Sequence, residues 1–136
     1  WEVAGADDLP DIGRGRHEDA DYTAYVRARL RERLLLLGSH GSEVAVLGVD
    51  CWPPNEVRRP DRLRWWRDLS RSVADEVGAT YIDPTRELCV DGEPRADIPG
   101  VGNPRPTDGA HWTRAGAEWF WRAWLGPRLH QLADRA

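Results

Sequence analysis

The chain has 136 residues, of which 40% are hydrophobic and 31% charged, a balance that fits one soluble globular domain over residues 1–136 with a single core. No apolar run approaches the ~18 residues that a bilayer span needs, and no secretory leader is visible. The formal net charge is −4, and the cations are all arginine, interleaved with acids as in Arg27, Arg29, Arg31, Glu32 and Arg33; this reads as a solvated helix face and, without a coherent basic stripe, argues against nucleic-acid binding.

The sequence contains no methionine and opens on Trp1 and Glu2, which leads us to expect a segment of a longer polypeptide. Residues 5–19, rich in Gly, Asp and Arg, read as a loop. From about Asp19 to Leu37, the residues Tyr22, Val26, Leu30, Leu34 and Leu37 recur at three- and four-residue steps, the mark of one apolar helix face. Gly38 is a helix stop. Val44–Val49 (VAVLGV) is short, apolar and rich in branched residues, and is expected to be a strand buried on both faces. The segment CWPPNEVRRP is a loop. A second helix is expected to start after Pro60, with Asp61 near its N-terminus and Gly78 ending it, and with Leu63, Trp66, Leu69 or Ser70, Val73 and Val77 inward, followed by a strand over Ala79–Asp83. Residues 84–107 look mostly irregular. A last helix starts near Thr113, whose hydroxyl suits an N-cap, with Ala117, Trp121, Trp124, Leu125 and Leu129 as its inner stripe. Helices alternating with strands argue for an α/β sandwich with a parallel sheet.

The sharpest local feature is Asp108-Gly109-Ala110-His111-Trp112-Thr113. Acyl transfer needs a base that works near neutrality, which imidazole supplies. The ring must also be held in one tautomer, which a carboxylate does by accepting from one ring nitrogen. A glycine-containing turn between residues three apart can bring both groups to one rim. A bare D-x-x-H is common at helix starts, where the Asp merely caps the turn and the His is a surface residue. The longer pattern R-x-x-D-G-x-H-x-T-x-x-G-A, here Arg105 to Ala117, is more specific.

The segment RPTDGAHWTRAGAEWF is similar to the last conserved block of SGNH (GDSL-like) hydrolases, whose Asp and His complete a Ser-His-Asp triad. The layout resembles the SGNH domains that accompany membrane acyltransferases of the acyltransferase-3 type: a strand running to a Cys (VAVLGVDCWPP), a helix ending V-A-x-x-x-G (Val73 to Gly78), a strand ending in Asp (YIDPTRELC), then the DGxH block. The resemblance covers most of the chain, and only the last block is specific. It implies a three-layer α/β sandwich of flavodoxin-like type with a parallel sheet, truncated at its N-terminus. It also implies Asp108 and His111 as catalytic residues and an O-acyl (acetyl) ester as substrate, with a cell-surface glycan as the expected carrier. No metal and no organic cofactor is called for. The remaining partners it implies are the upstream part of the same domain and a membrane acyltransferase domain in the parent chain, in an extracytoplasmic location.

The pattern is incomplete here. The family's Gly-Asp-Ser block is missing, and Ser39, Ser42, Ser70 and Ser72 lie in a helix-to-strand turn or within a helix. The family's glycine oxyanion block is also missing. Trp1-Glu2 has two readings. By the resemblance it takes the place of the usual Asn-Asp pair, so that an indole replaces the Asn donor, and losing one such donor costs about 100- to 1000-fold in rate. Alternatively, Trp1 packs at a strand end. The chain alone is therefore expected to lack serine-esterase turnover. The alternative is a non-catalytic glycan-binding or regulatory module on the same scaffold.

Cys51 and Cys89 do not form a CxxC motif, and by spacing alone they are either bridged or both reduced. The resemblance favours the bridge: each cysteine follows a strand, neighbouring parallel strands end on one edge, and an extracytoplasmic domain permits a disulfide. Ligands of open α/β sheets bind beyond that edge, so Trp52 and Trp112 are candidate pocket residues beside Trp1. His17, near Glu18, Asp19 and Asp21, reads as part of a solvated loop rather than a metal site. His40 and His130 read as structural.

Overall fold

The computed structural model describes residues 17–53 and 60–135; Trp1 lies outside them. Helix α1 spans Ala20–Gly38, and its start is set by Asp19, whose carboxylate accepts from the amides of Asp21 and Tyr22. Strand β1 (Ala45–Leu47) leads through residues 48–59 to helix α2 (Pro60–Val77), which returns to strand β2 (Thr80–Ile82). The two strands pair in parallel, Ala45 with Thr80, Val46 with Tyr81 and Leu47 with Ile82. A parallel pair needs such a crossover, and Gly78, in left-handed backbone (φ 75°), makes the tight exit from α2 into β2.

α1 lies on α2. Val26 and Leu34 meet Leu69 and Val73 in a buried cluster, with Tyr22, Trp65 and Trp66 at its margin. Glu76 of α2 fastens the exposed seam by accepting from both Arg27 and Arg31 of α1. The first helix and both internal strands thus fall close to where periodicity places them. The expectation that β1 is buried on both faces is corrected: Val46 packs against the α1–α2 cluster, whereas Leu47, on the opposite face, is 44% exposed, that face lacking cover among the described residues.

The stretch expected to be irregular holds more order than its composition suggests. A short helix α3 (Thr85–Leu88) runs into a hairpin of β3 (Cys89–Val90) and β4 (Glu93–Pro94). The intervening Asp91 and Gly92 both have positive φ, 52° and 84°, the backbone that a two-residue hairpin turn demands. After a loop, α4 (Arg114–Trp119) passes through a π-helical turn (Phe120–Leu125) into α5 (Gly126–Ala133).

The π turn has a local cause. Pro127 has no amide to give to the carbonyl four residues back, and the amide of Gly126 reaches five residues back to Trp121 O. A Cβ on residue 126 would stand 2.7 Å from that oxygen, so glycine is needed there. The extra residue turns the face of the helix. Ala117 and Trp121, both expected on the inner stripe, are exposed, Trp121 to 57%: the inner face runs one position earlier, through Gly116, Phe120 and Trp124, and Trp124 and Leu125 pack on Ile82 of β2.

Candidate active site

The site is built by the connection between residues 103 and 113. Asn103 caps the amide of Arg105, Gly109 N donates to Arg105 O, and Thr113 N donates to Pro104 O at 2.8 Å, closing the loop on itself. Thr113 is the N-cap of α4, its hydroxyl accepting from Gly116 N at 3.0 Å.

Within that loop, Asp108 and His111 meet. His111 Nδ1 is 2.8 Å from Asp108 Oδ2. The other carboxylate oxygen, Oδ1, accepts from the amides of His111 (2.8 Å) and Ala110 (2.9 Å). Those two amides, together with the imidazole, hold the Asp108 carboxyl well below the ordinary carboxylate range. An ionised Asp108 makes Nδ1 the protonated nitrogen and leaves Nε2 with its lone pair. The His111 side chain is 83% exposed. The pair is thus a carboxylate-oriented imidazole presented at the surface.

The fixed positions of the pattern R-x-x-D-G-x-H-x-T-x-x-G-A other than its last, the exposed Ala117, have a physical role here. Gly109 is in left-handed backbone (φ 68°), and a Cβ there would overlap the ring of Pro53. Gly116 lies against Pro104, where a Cβ would come within 2.9 Å of the carbonyl oxygen. Arg105, with a side chain only 1% exposed, donates to Asp50 Oδ2 at 2.8 Å and to Cys51 O at 3.3 Å. Its guanidinium carbon also sits 5.0 Å from the centre of the Trp112 ring. Asp50 further receives a hydrogen bond from the Trp52 side chain, and burial pushes its carboxyl up while Arg105 pulls against that. Arg105 therefore pins the loop to the end of β1.

Of the residues singled out in the sequence, Asp108 and His111 come together. Trp112 is half-buried between Arg105 and Phe120, whose ring is 5.1 Å away, and Phe120 in turn stacks on Trp124. Trp112 thus anchors the loop to the second core. Trp52 lines a cavity of about 380 Å³ beyond the carboxyl ends of β1 and β2, together with Cys51 and Cys89. The two cysteines form a disulfide that ties the segment after β1 to the start of the hairpin.

His17 departs from the solvated-loop expectation. Its side chain is 12% exposed, with Nδ1 3.2 Å from Glu18 and Nε2 3.1 Å from Asp61. It braces the starts of α1 and α2 and lies 6.1 Å from Trp65. The three side chains have donor types that suit a cation, but both ring nitrogens already face carboxylates, so a metal there would have to displace one of these contacts.

Asp50 was not legible as a site residue, since 55 residues separate it from Arg105 and no spacing rule spans that distance. Comparison with family models, curated proteins and solved structures finds no match to this chain.

Proposed function

We propose that the chain supplies the Asp–His half of a Ser-His-Asp triad in an SGNH-type serine esterase or O-acyl-transfer domain, and that it forms part of a three-layer α/β sandwich. The observation that carries this reading is the contact between His111 Nδ1 and Asp108 Oδ2, with Asp108 Oδ1 held by two amides of the same turn. The disulfide favours an oxidising, extracytoplasmic setting.

In this reading a serine Oγ from polypeptide outside the present sequence attacks the ester carbonyl, and His111 Nε2 takes its proton. The tetrahedral intermediate collapses to an acyl-serine as His111 returns that proton to the departing alkoxide. Water or an acceptor hydroxyl then attacks the acyl-serine, with His111 as base once more. Asp108 keeps the ring in one tautomer and stabilises its cation. The serines of the described residues do not fit the role. Ser39 and Ser42 precede β1, at the end of the strand away from Pro53 and the His111 turn. The Ser70 hydroxyl is spent on Trp66 O within α2, and Ser72 accepts from Arg27.

The test is p-nitrophenyl acetate hydrolysis by the chain extended upstream through a Gly-Asp-Ser block, compared with its His111→Ala variant. Loss of activity by a factor of about 100 to 10,000 is the expected result. A folded extended protein whose activity ignores His111 would remove the triad and favour a glycan-binding module on the same scaffold.

A further inference from the structure

The cavity beyond the strand ends has an uneven charge. Arg64 and Arg67, three apart on one face of α2, and Arg86 of α3 all line it, against one acid among the described residues, Glu93 of the hairpin. Among the described residues none of these three arginines has an ion-pair partner, in a chain of net charge −4. The nearby acid at the end of β2 is already engaged: Asp83 pairs with Arg71 and accepts from the amide and hydroxyl of Thr85. Arg67 also acts on Asp83, which leaves Arg64 and Arg86 as the guanidinium groups at this concavity with no interacting acid among the described residues. Such groups form a recognition surface for oxyanions, which they bind through charge-assisted, often bidentate hydrogen bonds.

The cavity also shares a wall with the His111 turn. Trp52 and Glu93 line it, and their immediate successors Pro53 and Pro94 are the two residues against which Gly109 packs. A volume of about 380 Å³ accommodates one small, sugar-sized unit, and Trp52 adds an aromatic surface.

We propose that this cavity is a subsite for an oxyanion-bearing sugar unit, either a uronate carboxylate or a sugar phosphate, lying next to the position of the reacting ester. This rests on the acyl-transfer reading for what the subsite serves, and makes the substrate an acidic rather than a neutral glycan. Arg64 and Arg86 hold the anion. Glu93 opposes it and disfavours an excess of negative charge.

The measurement is an NMR titration of the chain with glucuronate and with glucose phosphate, using glucose as the neutral control. Both anions are expected to shift the amides of Thr85 and Gly92, with affinity falling as salt rises, while glucose leaves them in place. Arg64→Ala and Arg86→Ala, at exposed positions, should each weaken binding about tenfold, and Glu93→Gln should tighten it. Preference between the two anions identifies which carries the recognition. Equal response to glucose, or anion binding indifferent to both arginine variants, overturns the proposal. The titration needs no serine. Anion binding without ester turnover in the extended protein keeps the subsite and removes the catalytic reading. Turnover that depends on His111 but comes without anion binding does the reverse.

Discussion

Arg105 and Asp50 form a buried ion pair that fastens the loop carrying His111 to the end of β1. Burying two charges gains little net stability, but leaving one of them alone is costly. Arg105→Met should destabilise the fold by about 3–5 kcal/mol, because Asp50 then loses its counter-charge inside the protein. Urea denaturation followed by tryptophan fluorescence measures it. A loss below one kcal/mol would mean that Asp50 is served by Trp52 alone.

The linkage of Asp50 to pH has a definite sign. Burial raises its folded value above the ordinary one, so its contribution to stability is full below the ordinary carboxylate range and declines as pH rises through the folded value. Asp50→Asn should flatten that part of the stability–pH curve. Denaturation midpoints at several acidic pH values, wild type against variant, provide the check.

Asp108 titrates in the opposite sense. Its folded value is depressed by the amides of His111 and Ala110 and by the imidazole. Its contribution is therefore present above the ordinary carboxylate range and lost only as pH falls through the depressed value. The side-chain carboxyl carbon of Asp108 should show no titration step across the usual aspartate range in an NMR pH series. Under the proposed acyl-transfer reading, Asp108→Asn in the extended protein should lower kcat by about ten-thousandfold through the wrong imidazole tautomer.

Gly116→Ala should cost about 1–3 kcal/mol, since the added methyl meets Pro104 on both ring and backbone. Gly109→Ala combines a left-handed backbone with overlap on Pro53. It should displace the turn, seen as loss of the native His111 amide position, even where the protein remains folded.

Reduction of the disulfide opens a loop of 38 residues between its ends, for which chain entropy gives a loss of about 4 kcal/mol. Thermal melts with and without reductant test this, and Cys51→Ser with Cys89→Ser should match the reduced protein.

Local chemistry explains what the sequence disclosed. The α1 face, the Thr113 cap and the Asp108–His111 turn all depend on residues within a few positions of one another, so periodicity and spacing report them. The hairpin at Asp91-Gly92 carried a readable turn signal that the surrounding prolines and charges obscured. Ala117 and Trp121 lie outside the core because the inner face of the last helix runs through Gly116, Phe120 and Trp124, and aromatic residues on both sides of the stripe made the two faces hard to tell apart. Arg105–Asp50 and the convergence of Arg64 and Arg86 on one cavity are products of tertiary folding, and nothing along the chain encodes them. Leu47 was misjudged because an apolar strand announces that it wants cover, not that the described residues provide it.

The two oxygens of the Asp108 carboxylate have different tasks: one is fixed by the main chain and the other meets the imidazole. The ring is thereby indexed to the backbone of its own turn. A glutamate would carry the same charge, but its extra methylene would put one oxygen or the other out of register. Charge and acidity alone do not define this position; reach does, and only the shorter acid has it.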